Sequence, residues 1–230
     1  MSSNEWTWRQ TWRDLLFAHW PVEASLVRPL VPSELVIQEF DGTSWIGLVP
    51  FRMTGVMRRP FPDLPWVSAF PELNVRLYVE RDGRPGVWFL SLDATNPLAV
   101  WAARRYFFLP YYRARMSIAE EEGGTFRYSS ARPQASLGAT YRPTSAVYRA
   151  KPGTLEHWLT ERYCLYARGP GGGIFRNEVH HVPWPLQSAS ATIEHNTMFE
   201  FHGIAAEGEP RLLHFAKQLD VVIWGGERVA

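Results

Sequence analysis

The stretch Phe70 to Glu80, FPELNVRLYVE, places an acid, an amide, a guanidinium and a phenol at alternate positions: Glu72, Asn74, Arg76 and Tyr78. In a strand these four share one face, because successive side chains point to opposite sides. Such a row can do acid-base chemistry, since a carboxyl moves a proton and a guanidinium grips a carboxylate with two hydrogen bonds. The residues that follow, Arg81-Asp82-Gly83-Arg84, contain the Asp-Gly pair of a tight hairpin. A turn centred there pairs Arg76 with Phe89, Asn74 with Ser91 and Glu72 with Asp93. This register adds Ser91 and Asp93 to the site and sets two carboxylates about 5 Å apart at Cβ. If water is excluded, one of the two stays protonated near neutral pH.

An alternating strand ordinarily turns its polar face to water. Two features argue for a buried face here. The partner strand, VWFLSLDA from Val87 to Ala94, brings Val87 and Phe89 to the polar side, and a helix is expected at once, over Pro97 to Phe107, with Thr95 and Asn96 as caps and proline in the first turn. A buried polar face needs partners or a ligand.

The elements that must position this row are mostly strands. Period-2 alternation and turn residues predict strands over Leu35–Phe40, Ser44–Met53, Glu72–Glu80, Val87–Ala94, Tyr112–Ala119, Thr125–Ala131, Ala135–Tyr141, Ile174–His181, Ser188–Glu194 and Leu212–Trp224. SWIGLVPFRM, from Ser44 to Met53, is apolar on both faces and reads as a central strand. Helical spacing predicts a second helix over Gly153–Tyr163 and a third, short one before Leu16. Many short strands, few helices and no strand-helix rhythm predict a mainly β, α+β fold: an antiparallel barrel or packed sheets with helices attached. No linker composition interrupts the 230 residues, so one domain over residues 1–230 is expected.

A net charge of +1 from 24 basic and 23 acidic residues leaves no electrostatic footprint for nucleic acid or an anionic membrane. No apolar run approaches the ~20 residues of a membrane span, and the N-terminus lacks a signal-peptide pattern. Cys164 is the single cysteine, which fits a reducing cytoplasm and a buried apolar role. Glu178, His180 and His181, with His195 and His202 further on, lack a metal-ligand spacing, so no metal is expected. The GPGGG run at Gly169–Gly173 matches neither a phosphate loop nor a dinucleotide fingerprint, so no cofactor is expected either, and no Gly-x-Ser-x-Gly elbow occurs. Four of the eleven tryptophans, Trp6, Trp8, Trp12 and Trp20, cluster near the N-terminus. They are expected to cover the core or a contact between subunits of a homo-oligomer, with ligand stacking as the alternative.

Taken in order, LLFAHWPV, LVPFRM, FPELNVRLYV, GVWFLSLDA, LAVWAARRYF, LPYYRARM and LLHFAKQLDVVIW resemble the YqjF-like family of uncharacterised bacterial proteins, within the acetoacetate decarboxylase-like superfamily. The resemblance implies a conical, mostly antiparallel β-barrel with covering strands, a few short helices and a closed pocket. In the decarboxylase a strand glutamate faces the pocket, and a Pro-Lys-Lys segment supplies the Schiff-base lysine and a second lysine that lowers its pKa. Glu72 stands at the glutamate's place. The matching segment here reads Pro110-Tyr111-Tyr112-Arg113-Ala114, and a phenol cannot form an imine with a ketone. Lys151 and Lys217 are the only lysines, and HFAKQLD gives Lys217 no neighbouring cation to depress its pKa.

What remains is lysine-independent chemistry on a small oxo or hydroxy acid, such as enolisation, hydration or dehydration. Glu72 is the expected base, Tyr111 or Tyr112 the hydrogen-bond donor, and Arg76 or Arg113 the carboxylate anchor, with His19 reaching the barrel mouth. A non-catalytic module that holds a small organic acid or an apolar ligand is the alternative.

Overall fold

The computed structural model describes residues 5–61, 69–206 and 208–230. In chain order the strands are β1 (Trp8–Val22), β2 (Val36–Ile37), β3 (Ser44–Arg58), β4 (Phe70–Arg81), β5 (Arg84–Ala94), β6 (Tyr111–Arg113), β7 (Arg115–Glu121), β8 (Thr125–Arg132), β9 (Ala135–Pro143), β10 (Cys164–Arg168), β11 (Ile174–His180), β12 (Gln187–Asn196), β13 (Leu212–Ile223) and β14 (Glu227–Arg228). The helices are α1 (Ala24–Val27), α2 (Pro97–Tyr106) and α3 (Leu155–Thr160).

Hydrogen bonding runs β11-β10-β5-β4-β3-β1-β13, and β13 then pairs back to β11 at Val179↔Ile223 and His180↔Val222. The sheet therefore closes into a ring, mostly antiparallel, with β10 parallel to β5. From β13 it continues through β12, β9, β8 and β7, which fold back over the outside of the ring as a covering layer. The expected mainly β fold with few helices is what forms.

Strand alternation sorts the core into two layers. On β4, Leu73, Val75, Leu77 and Val79 point outward and pack beneath the cover with Phe126, Tyr128 and Phe215. On β3, Leu48 joins that outer layer while Val49, Phe51 and Met53 point inward. The strand expected to be central from Ser44–Met53 is buried along eight consecutive residues, as a strand covered on both faces must be.

The short helix expected before Leu16 does not form. That segment belongs to β1, which pairs with β3 on one side and β13 on the other. Leu15 to Trp20 is buried on both faces, so no period-2 signal survives in the sequence. An irregularity between Arg13 and Ala18, with Asp14 at φ 53°, further scrambles the pattern. Strand β10 also escaped sequence reading, since its five residues CLYAR are almost all buried. The second helix is shorter than expected, Leu155–Thr160, and opens at Thr154, whose side chain accepts from the His157 amide. The Leu35–Phe40 strand shrinks to Val36–Ile37, and Tyr112–Ala119 resolves into β6 and β7.

Candidate functional site

Inside the ring lies a cavity of about 520 Å³, roofed by α2. Asn96 fixes the start of that helix by accepting from the amides of Leu98 and Ala99 at 2.9 and 3.2 Å. Arg104, in its last turn, donates to the Tyr111 carbonyl at 2.6 Å and ties the roof to β6. The walls are mainly apolar, with Phe51, Phe70, Phe89, Leu92 and Val179 among them, and the polar groups are few. Trp8 and Trp12 also line the space.

The row on β4 faces this interior. Glu72, Asn74 and Arg76 line the cavity and are 2%, 8% and 8% exposed, so the polar face is buried and not the wet side of the sheet. Val87 and Phe89 from β5 stand opposite, as the pairing Arg76↔Phe89 requires.

Beyond Phe89 the expected register fails. Val75 pairs with Ser91, Asn74 with Leu92 and Glu72 with Ala94, leaving Leu90 as an extra, unpaired residue on β5. One inserted residue reverses the parity of everything after it. Leu92 therefore enters the cavity, while Ser91 and Asp93 point outward beneath the cover. There the Ser91 hydroxyl lies 3.1 Å from His202 Nε2, and Asp93 accepts from Ser130 at 3.0 Å and from Arg132 Nε at 2.8 Å. Both residues are removed from the cavity wall, although the Asp93 charge still acts on Glu72 through the sheet.

The tyrosine pair divides as strand geometry demands. Tyr111 lines the cavity, and its hydroxyl donates to Glu72 Oε2 at 2.9 Å. Tyr112 turns away and lies under the Arg132 guanidinium, 4.3 Å from its ring centre. Arg113 is exposed and away from the cavity, so it anchors nothing there. His19 is fully buried behind Tyr78 and does not reach a mouth: its Nε2 is 2.6 Å from the Tyr78 hydroxyl.

Burial is the largest influence on Glu72, with the Tyr111 hydrogen bond opposing it and the Asp93 charge adding to it; together they raise its pKa to about 8. At neutral pH the group is a carboxylic acid. Arg76 is held by two contacts: its Nε donates to the Tyr78 hydroxyl at 3.1 Å, and its Nη2 to the Leu159 carbonyl at 3.1 Å. The same Tyr78 hydroxyl lies within hydrogen-bond distance of His19 Nε2. Burial first, and the Arg76 charge second, lower the His19 pKa and keep the ring neutral. Gly47, in register with both His19 and Arg76, leaves room for this chain. A Cβ there would meet the His19 ring and the Tyr78 oxygen at 3.2 Å.

A second guanidinium, unforeseen from sequence, joins the first. Arg162 lines the cavity, donates from Nε to the Trp158 carbonyl at 2.7 Å and lies 4.3 Å over the Trp158 ring. Burial lowers its pKa to about 10, which leaves it a cation at neutral pH. Among the described residues, neither Arg76 nor Arg162 has a carboxylate within ion-pair distance. Among the described residues, Asn74 Oδ1 and Arg162 Nη2 are buried without a hydrogen-bond partner. His181 also faces the cavity, stacked 4.6 Å from Tyr163, whereas Glu178 pairs with Arg84 and Arg176 outside it.

Neither lysine lines the cavity. Lys217 is half exposed and bridges Asp14 at 2.7 Å and Glu120 at 3.4 Å. Partial burial works to lower its pKa, but these two carboxylates outweigh that and raise it. It is a paired cation and not an amine poised for imine formation.

The family DUF2071, described as an uncharacterised conserved protein, matches residues 9–220. The uncharacterised protein YqjF of Bacillus subtilis (strain 168) is 46% identical over 222 residues, which is 95% of this chain and 91% of that one. Among solved structures, the enduracididine biosynthesis enzyme MppR, complexed with the condensation product of pyruvate and imidazole 4-carboxaldehyde, superposes with a TM-score of 0.70 at 13% identity, covering 97% of this chain and 89% of that one. An acetoacetate decarboxylase-like enzyme from Sphingomonas wittichii RW1 gives 0.68 at 13% identity over 98% and 94%. Acetoacetate decarboxylase from Legionella pneumophila gives 0.68 at 14% over 100% and 92%. At these identities the structural likeness shows a shared fold.

Proposed function

This chain belongs to the DUF2071 family, with the acetoacetate decarboxylase-like fold, and from that premise we propose that its cavity binds an organic acid by the carboxylate and moves a proton on it without an imine. One observation carries the reading: Arg76 is a buried guanidinium on the cavity wall with no acid to neutralise it among the described residues. A buried charge is costly unless paired. Arg162 adds a second positive charge to the same space, so an anion is the group that the cavity favours.

The proton would come from Glu72. With a pKa of about 8 and Tyr111 fixing one of its oxygens, it is an acid near neutral pH, suited to protonating a developing enolate or hydroxyl leaving group. In enolisation of an oxo acid the carboxyl gives its proton to the carbonyl oxygen and takes the carbon-bound proton in return. In dehydration of a hydroxy acid it gives its proton to the leaving hydroxyl and takes the carbon-bound one, and hydration runs the reverse. Glu72 thus ends protonated as it began. The second reading, a binding module without turnover, is favoured by the predominance of apolar wall.

Thermal denaturation with a panel of 2-oxo, 3-oxo and hydroxy acids tests the anchor. An acid at a hundred times its Kd stabilises the native state by about 2.7 kcal/mol, or roughly 5–10 °C for a chain of this size. The shift is expected to vanish in Arg76→Gln and to survive in part in Arg76→Lys. Acids that shift both variants like the parent would refute the anchor, and bound acids left unchanged over hours would favour the binding module.

A further inference from the structure

We propose that the acid taken by this cavity is a long one, with an extended or aromatic apolar body, its carboxylate at Arg76 and an oxo or hydroxyl group at Asn74 and Glu72. This rests on the carboxylate reading above and adds the size and polarity of the ligand.

Three observations lead there. The first is volume. At the roughly 30 Å³ that a water occupies in the liquid, a cavity of about 520 Å³ takes on the order of 15 non-hydrogen atoms. A three- or four-carbon oxo acid has about six or seven, and would leave most of the apolar wall uncovered. The second is the distance along β4. Glu72 and Arg76 are four residues apart on one strand, which at about 3.3 Å per residue separates their Cα atoms by about 13 Å. A short acid anchored at one end does not span that row.

The third is the distribution of polarity. On either side of the row the wall is apolar, with Phe89 beside Arg76, Val49 and Leu92 beside Asn74 and Phe51 beside Glu72, and α2 adds Ala99 and Ala102 from above. At the edge of the space Leu98 and Trp101 are 62% and 59% exposed, so the entrance is apolar as well. Polarity returns at Asn74, midway along the row, and at Glu72 beyond it. Among the described residues Asn74 Oδ1 is a buried acceptor without a partner, and a ligand hydroxyl would donate to it while accepting from Glu72.

The test is isothermal titration of straight-chain monocarboxylates of four to twelve carbons, with the matching primary alcohols, against the parent, Arg76→Gln and Ala102→Phe. Each added methylene is expected to tighten binding about fourfold until the cavity is filled. The acids should bind at least tenfold more tightly than the alcohols, a preference lost in Arg76→Gln. Ala102→Phe narrows the space beneath the roof from a half-buried helix position, and should move the optimum to shorter acids. Arg76-dependent binding with no gain beyond four carbons would overturn the long ligand and leave the carboxylate anchor standing. Acids and alcohols binding alike in both the parent and Arg76→Gln, with the chain-length gain intact, would overturn the anchor and keep the apolar body. No binding by any member of the series would overturn both.

Discussion

Glu72→Gln should make the protein more stable in alkaline solution. In the folded state the carboxyl has a pKa of about 8, against an ordinary value of 4.5. Between those two values the folded chain holds a proton that the unfolded chain has released. Stability then falls as pH rises, by about 1.4 kcal/mol per pH unit, because the unfolded state binds fewer protons. The contribution is fully present below about pH 4.5 and gone above about pH 8. Over the window it amounts to about 5 kcal/mol, an appreciable part of the 5–15 kcal/mol that holds an ordinary domain together. A carboxamide at this position keeps the oxygen that Tyr111 donates to at 2.9 Å and never ionises. Urea denaturation of the parent and the variant, from pH 5 to pH 9 at constant ionic strength, isolates the effect, because other titrating groups cancel in the difference. The gap between the two stabilities should tilt towards the variant throughout and level off above pH 8, with a gain in Tm on the order of 10–20 °C there. Parallel curves would show that Glu72 ionises normally, and would remove it as the proton donor.

Tyr111→Phe deletes the hydrogen bond that opposes the rise in the Glu72 pKa, so the midpoint of that pH dependence should move above about 8, while Tyr112→Phe leaves it in place; the same urea series reads both. Gly47→Ala forces a Cβ to 3.2 Å from the His19 ring and the Tyr78 oxygen. It should cost about 1–3 kcal/mol and weaken carboxylate binding by displacing Arg76, seen by denaturation and titration together. Asp93→Asn leaves Arg132, whose side chain is 2% exposed, without its carboxylate at 2.8 Å. A loss of about 3–5 kcal/mol is expected, and a variant as stable as the parent would mean that the outer cluster tolerates the unpaired guanidinium.

Much of the site can be read from local pattern. The alternation of Glu72, Asn74 and Arg76 on one face of β4 follows from the two-residue period of any strand, and the Asp-Gly turn correctly aligns Arg76 with Phe89. One bulged residue, Leu90, then undoes the prediction for Ser91 and Asp93. Nothing in VWFLSLDA marks it, because the bulge answers to what β5 meets elsewhere: β4 on one side, β10 on the other and the cover above. The strand before Leu16 and the Arg162 contribution were hidden for a related reason. A stretch buried on both faces has no period, and residues 86 positions apart, Arg76 and Arg162, share a cavity only after the ring closes.

By itself the sequence determined the family, the mainly β architecture and the absence of a lysine pair at Pro110–Ala114, since these reside in residue identity and short-range spacing. The tertiary structure decided which polar face is dry, which tyrosine reaches Glu72, and that Arg76 has no partner acid among the described residues. Those are questions of desolvation and of parity across hydrogen-bonded strands. Both depend on which neighbour each strand acquires, and a linear pattern does not carry that information.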